Sequence, residues 1–154
     1  KKGDFDGALA DFEKAIALDS KDVENYYNRG QLYFKKGDID SAFRDYDLVL
    51  ALNPKYLMAY LGRAEAYDAK GRYEDAIGDV VKAAEIESGW SSKFYDLGRG
   101  QNEKGNYEIA IRYFDKGIAH NEKDAFSYRE RGIAYDKLGN FEQAVSDINK
   151  AAEL

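Results

Sequence analysis

Apolar residues fall along this chain at helical intervals, and the intervals sit inside a longer period of 34 residues. Tyr26, Tyr60, Phe94 and Tyr128 recur at that period. Each is followed four residues on by Gly30, Ala64, Gly98 or Gly132, and three further on by Tyr33, Tyr67, Gln101 or Tyr135. Spacings of this kind put the residues on one face of a helix. An aromatic beside a glycine makes a bulge and a recess, through which stacked helices interlock.

A second series marks turns. Gly3, Gly37, Gly71, Gly105 and Gly139 keep the same period, with Phe5, Ile39, Tyr73, Tyr107 and Phe141 two residues later and Ala8, Ala42, Ala76, Ala110 and Ala144 five later. An acid always stands three after the glycine: Asp6, Asp40, Glu74, Glu108 or Glu142. The glycine suits a left-handed residue ending one helix. Asp4, Asp38, Asn106 and Asn140 are placed to cap the next helix, with Arg72 the exception. The acids complement the positive end of that helix. Each period therefore predicts a helix, a short turn and a second helix.

These columns resemble the tetratricopeptide repeat (TPR) family, whose unit carries a W-x2-L-G-x2-Y…A-x3-F…P pattern. Tyr26, Gly30, Tyr33, Ala42, Tyr46 and Pro54 supply that pattern in the best copy. The resemblance covers the whole chain and implies an all-α fold, a right-handed α-solenoid of antiparallel helix-turn-helix repeats. The expected units number about four and a half: a second helix alone at 1–22, repeats at 23–56, 57–90 and 91–124, and most of one at 125–154. The chain is accordingly expected to be a segment of a longer protein, or to have its ends covered by another chain.

One column departs from the family. Where the family has leucine, this chain has Arg29, Arg63 and Arg131, and sixteen residues after each stands Asp45, Asp79 or Asp147. In the fourth unit the pair becomes Leu97 and Tyr113. Columns that change together predict an ion pair joining the two helices of a unit, replaced once by an apolar contact. The fourth unit differs elsewhere too, with Ser88, Gly89 and Trp90 where Pro54 ends the second unit, and with His120 in a leucine column.

Composition narrows the function classes. The net charge is −6 and no Lys/Arg cluster offsets it, which disfavours nucleic acid as a partner. No apolar run is long enough to span a membrane. There is no cysteine and one histidine, so the paired His or Cys motifs of metal sites are ruled out and no cofactor is implied. His120 has no nucleophile at a recognisable motif, and "GRGQNEKG" lacks the preceding strand of a phosphate loop. The segment reads as non-catalytic. Absence of cysteine does not settle the compartment; a soluble, cytoplasmic setting is the expectation.

In the TPR family the first helices line a concave groove that accepts a peptide, and the resemblance implies a protein or peptide partner here. The positions expected on that groove are Tyr27, Asn28, Gln31, Phe34, Leu61, Glu65, Tyr95, Arg99, Phe126, Arg129 and Ile133. The family's carboxylate clamp for chaperone C-termini is not matched: Tyr27, Gln31, Gly62, Ser92 and Asp96 occupy its positions, and a shifted frame recovers only Asn28. Two other readings stand beside a groove-binding scaffold. One is an assembly element forming a homo-oligomer through uncapped helical ends such as Val145 and Ile148; the other is an accessory segment of a larger enzyme.

Overall fold

The computed structural model describes residues 5–154. Gly3 and Asp4 of the turn series lie outside the described residues. Those described form nine α-helices and no strand: α1 (Phe5–Leu18), α2 (Val23–Lys36), α3 (Ile39–Leu52), α4 (Leu57–Ala69), α5 (Tyr73–Ile86), α6 (Ser92–Glu103), α7 (Tyr107–His120), α8 (Ala125–Lys137) and α9 (Phe141–Glu153), with a 3-10 turn at Ser88–Ser91. The chain divides into two compact units, Lys1–Ile86 and Glu87–Leu154.

Four hairpin turns share one geometry. Gly37, Gly71, Gly105 and Gly139 all adopt positive φ, between 74° and 88°. The amide after each glycine donates back to a carbonyl five residues earlier: Asp38 to Tyr33, Arg72 to Tyr67, Asn106 to Gln101 and Asn140 to Tyr135, each at 2.9 Å. This bond satisfies a carbonyl that the ended helix leaves open. The caps that follow are less uniform than the residue types predict. Asp38 accepts from the Ser41 amide at 3.1 Å and from its hydroxyl at 2.7 Å. Asn106 and Asn140 make no side-chain cap bond. The Asn106 carboxamide instead donates to Gln101 Oε1 at 2.8 Å.

The helices close onto one another at glycines, Gly30 of the recurring column and Gly62 outside it. Tyr46 of α3 is fully buried, and a Cβ on Gly30 of α2 or Gly62 of α4 would lie 2.9 or 2.8 Å from its ring. The ring thus wedges between two first helices that both give way to it. In the second unit Phe114 fills the same space beside Gly98, and Ile148 lies against Gly132.

The arginine column is the second fastening. Arg29, Arg63 and Arg131 each grip the aspartate sixteen residues on through Nε and Nη2, all at 2.7–2.8 Å. Such a bidentate fork is stronger and more directional than a single bond. Each guanidinium also sits between two tyrosine rings, 5.4–6.0 Å from their centroids: Tyr26 and Tyr33, Tyr60 and Tyr67, Tyr128 and Tyr135. Sequence spacing did not reveal a further partner sixteen residues before the arginine. Arg63 Nη1 donates to Asp47 of α3, and Arg131 Nη1 to Asp115 of α7, each at 2.6 Å. These arginines therefore tie three helices rather than two. The signal was present in the column Glu13, Asp47, Val81, Asp115, whose single apolar member precedes the single apolar member of the arginine column, Leu97.

Candidate partner-binding faces

In the first unit the expected groove face lies on α2 and α4. Its two centrally placed apolar residues are beneath the surface: Tyr27 is 7 % and Leu61 4 % exposed. Tyr27 belongs to the core, its ring 6.2 Å from Tyr46 and 5.4 Å from Tyr56, with its hydroxyl accepting from Gln31 Nε2. Burial pushes the Tyr27 hydroxyl above its ordinary pKa, and the nearby charges of Glu65 and Glu24 add to the rise. Tyr56 is raised in the same way by burial and by the Glu24 carboxylate it meets. Phe34 and Glu65 are half-buried, Asn28 is exposed, and Phe34 packs against the core cluster. What this face offers a partner is thus polar and acidic around a partly covered ring. Tyr27 and Leu61 were expected as contact residues because helical periodicity locates a face, not its depth. The neighbouring Tyr46 wedge draws the two helices close enough to cover them.

In the second unit the face lies on α6 and α8 and is more open. Phe126 is 60 % and Ile133 39 % exposed, one at each end of a two-turn stretch of α8. Tyr95 of α6 meets Phe126 edge-on at 6.2 Å and is itself backed by Phe114 at 6.3 Å. The Arg129 guanidinium lies 5.7 Å from the Phe126 centroid and pairs with Glu130 at 3.1 Å. Arg99 pairs with Glu103 at 3.2 Å, about half exposed on both sides. The exposed Arg99–Glu103 pair contributes only about 0–1 kcal/mol, so an incoming charge can displace Glu103, whereas Glu130 is largely buried beneath Arg129. Tyr95, Phe126 and Arg129 are therefore in contact with one another on an accessible surface, whereas Ile133 lines the α8/α9 surface with Val145 and Ile148.

One residue beside this surface, Asn102, was not singled out from sequence. Asn102 Nδ2 donates to the Glu130 backbone carbonyl at 3.0 Å, which fixes α6 against α8, while its Oδ1 is buried without a partner. The pairing depends on register between helices, which no local pattern encodes. The other single-copy residues play local parts. His120 ends α7 and stacks on buried Phe94 at 5.5 Å, and the Trp90 indole donates to Glu87 at 3.3 Å. No described helix is long and apolar enough to cross a membrane.

Comparison with known proteins agrees with the helical pattern. A family model described as "TPR repeat" matches residues 1–37, and one described as "Tetratricopeptide repeat" matches 27–92 and 95–154. Among solved structures, the crystal structure of MamA is 26 % identical, with a TM-score of 0.73 over 99 % of this chain and 89 % of that one. YrrB, described as "a TPR protein with an unusual peptide-binding site", is 25 % identical, with a TM-score of 0.61 over 92 % and 73 %. MamA from Desulfovibrio magneticus RS-1, at 20 % identity and a TM-score of 0.71 over 99 % and 86 %, shares the fold. No curated protein matches the chain significantly. With both family models falling on the hairpins described above and together spanning most of the sequence, the chain belongs to the tetratricopeptide repeat family and is an α-solenoid of helical repeats.

Proposed function

We propose that this chain is a non-catalytic scaffold that binds a peptide segment of a protein partner on the groove-lining faces of its first helices. The observation that carries this reading is the α6/α8 platform, where Phe126 stands largely exposed between Tyr95 and Arg129. An exposed aromatic beside an exposed arginine has the residue make-up that interface anchors favour. YrrB, described as having a peptide-binding site, supports the same class of function by likeness. The first unit offers a different face, with Asn28, Gln31, Phe34 and Glu65 accessible in part and an acidic surrounding from Glu24 and Asp68. It suits the polar and cationic stretches of a bound segment.

The test is a peptide-display selection on the chain, run beside Phe126→Ala/Arg129→Ala. Both side chains are exposed, so the variant keeps its fold, which circular dichroism verifies. Peptides held by the parent and lost by the variant are the expected result. Equal capture by both would remove the α6/α8 platform from the reading.

A further inference from the structure

The repeat itself separates the residues its architecture needs from those that one hairpin adds. Arg29, Arg63 and Arg131 recur and are spent on buried aspartates. Arg99 and Phe126 stand alone in their columns. The position of Arg99 holds Gln31, Glu65 and Ile133 in the other copies, and that of Phe126 holds Glu24, Met58 and Ser92. Neither owes its exposure to the end of the chain. Glu24, Met58 and Ser92 are all exposed although further hairpins follow them. The Arg99 side chain is 52 % exposed although α8 packs beside α6. Its pairing with Glu103 puts base before acid at i, i+4, the weaker order on a helix.

We propose that this surface takes an extended peptide segment in which a large apolar side chain and a carboxylate side chain are separated by one residue. The apolar group covers Phe126 and Tyr95, and the carboxylate is received by Arg99. This rests on the peptide-binding reading of the same surface and names its ligand. Tyr95 and Arg99 lie one turn apart on one face of α6, about 6 Å along its axis. In an extended chain, side chains two residues apart point to the same side about 7 Å from each other, which matches that step. A helical ligand would need an apolar stripe at i, i+3, i+4 and i+7, whereas Phe126 is one exposed ring set among charged side chains. The recurring arginines grip their aspartates through Nε and Nη2. Arg99 meets Glu103 through Nη1, which leaves the Nε/Nη2 edge for a bidentate ligand carboxylate. Arg129 keeps its own acid, since Glu130 is 14 % exposed and held from α6 by Asn102.

A peptide captured by display selection on the chain is synthesised with acetylated and amidated ends and a fluorescent label, and its binding is read by anisotropy. Replacing the peptide's acid by the matching amide is expected to weaken binding to the parent about tenfold. The same replacement is expected to change nothing on Arg99→Gln, which has already lost the contact. Arg99 is exposed and Gln31 holds its position in another copy, so this variant keeps the fold, as circular dichroism verifies. Asp96, an exposed acid three residues before Arg99, opposes a ligand carboxylate, so Asp96→Asn is expected to tighten binding. Weaker binding by Asp96→Asn would mark a cationic ligand and overturn the proposal. Equal loss on parent and Arg99→Gln, or binding that needs a free C-terminus, would overturn it too. Peptides whose capture depends on Phe126 and Arg129 but on no acid would overturn it while sparing the scaffold reading. No captured peptide at all would remove both.

Discussion

Arg63 sits on a balance of large opposing terms. Its fork to Asp79 is largely removed from water, the side chains being 19 and 8 % exposed. Burial raises the Asp79 carboxyl above its ordinary pKa even against the pull of Arg63, while the two carboxylates Asp79 and Asp47 raise the guanidinium. Arg63→Leu is therefore expected to cost about 3–5 kcal/mol in urea unfolding at neutral pH, the usual result of leaving one buried charge unpaired. The raised carboxyl gives the sign of the pH dependence. Its charged form is disfavoured in the folded state, so the deficit of Arg63→Leu should shrink on acidification, as Asp79 takes up a proton. Arg63→Leu/Asp79→Tyr copies the Leu97 and Tyr113 of α6 and α7 and is expected to recover most of the loss. Failure to recover would mean that the apolar pair does not substitute for the ionic one. Asp38 runs the opposite way. The Ser41 hydroxyl and amide hold its carboxyl below the usual range. Its contribution is complete above the ordinary carboxylate pKa and is lost as pH falls through its own lower value. Asp38→Asn should accordingly flatten the acid limb of a stability–pH curve while lowering stability near neutrality.

Between helices, the decisive quantity is how closely a first helix approaches the ring beneath it. Gly62→Ala places a methyl 2.8 Å from Tyr46 Cζ, with α2 closing the ring's other side through Gly30. Thermal unfolding should show a loss of about 1–3 kcal/mol, the range for overpacking. Gly78 of α5 meets nothing within 4 Å, and Gly78→Ala should gain about 0.5–1 kcal/mol from helix propensity alone. The contrast separates a glycine required by packing from one that is not. It also shows how far a sequence can be read. The period located the hairpins, the left-handed glycines and the Arg–Asp partners, because each is local or repeats in register. The depth of Tyr27 and Leu61 was not legible, since it depends on the closeness of α2 and α4. Asn102 with Glu130, and the second carboxylates of Arg63 and Arg131, were missed because they are fixed by packing between consecutive hairpins.

Across the whole chain, the ionic fastenings divide as the fold does. Arg29 and Arg63 bind partners within Lys1–Ile86, and Arg131 binds partners within Glu87–Leu154. The column has no charge at Val81 or Leu97. In a repeat array stability is a sum of local units and neighbour terms. Calorimetry should then give an unfolding enthalpy larger than the van't Hoff value, the mark of more than one cooperative block. Equal values would show the chain melting as one. The turn at Ser88–Ser91 has a practical consequence for such an experiment. Trp90, the sole indole among thirteen tyrosines, stands there half-buried against Glu87. Emission excited at the red edge of the absorption band therefore reports the melting of that one connection. Far-ultraviolet dichroism averages all the helices, and the interval between the two curves times the junction against the rest of the array.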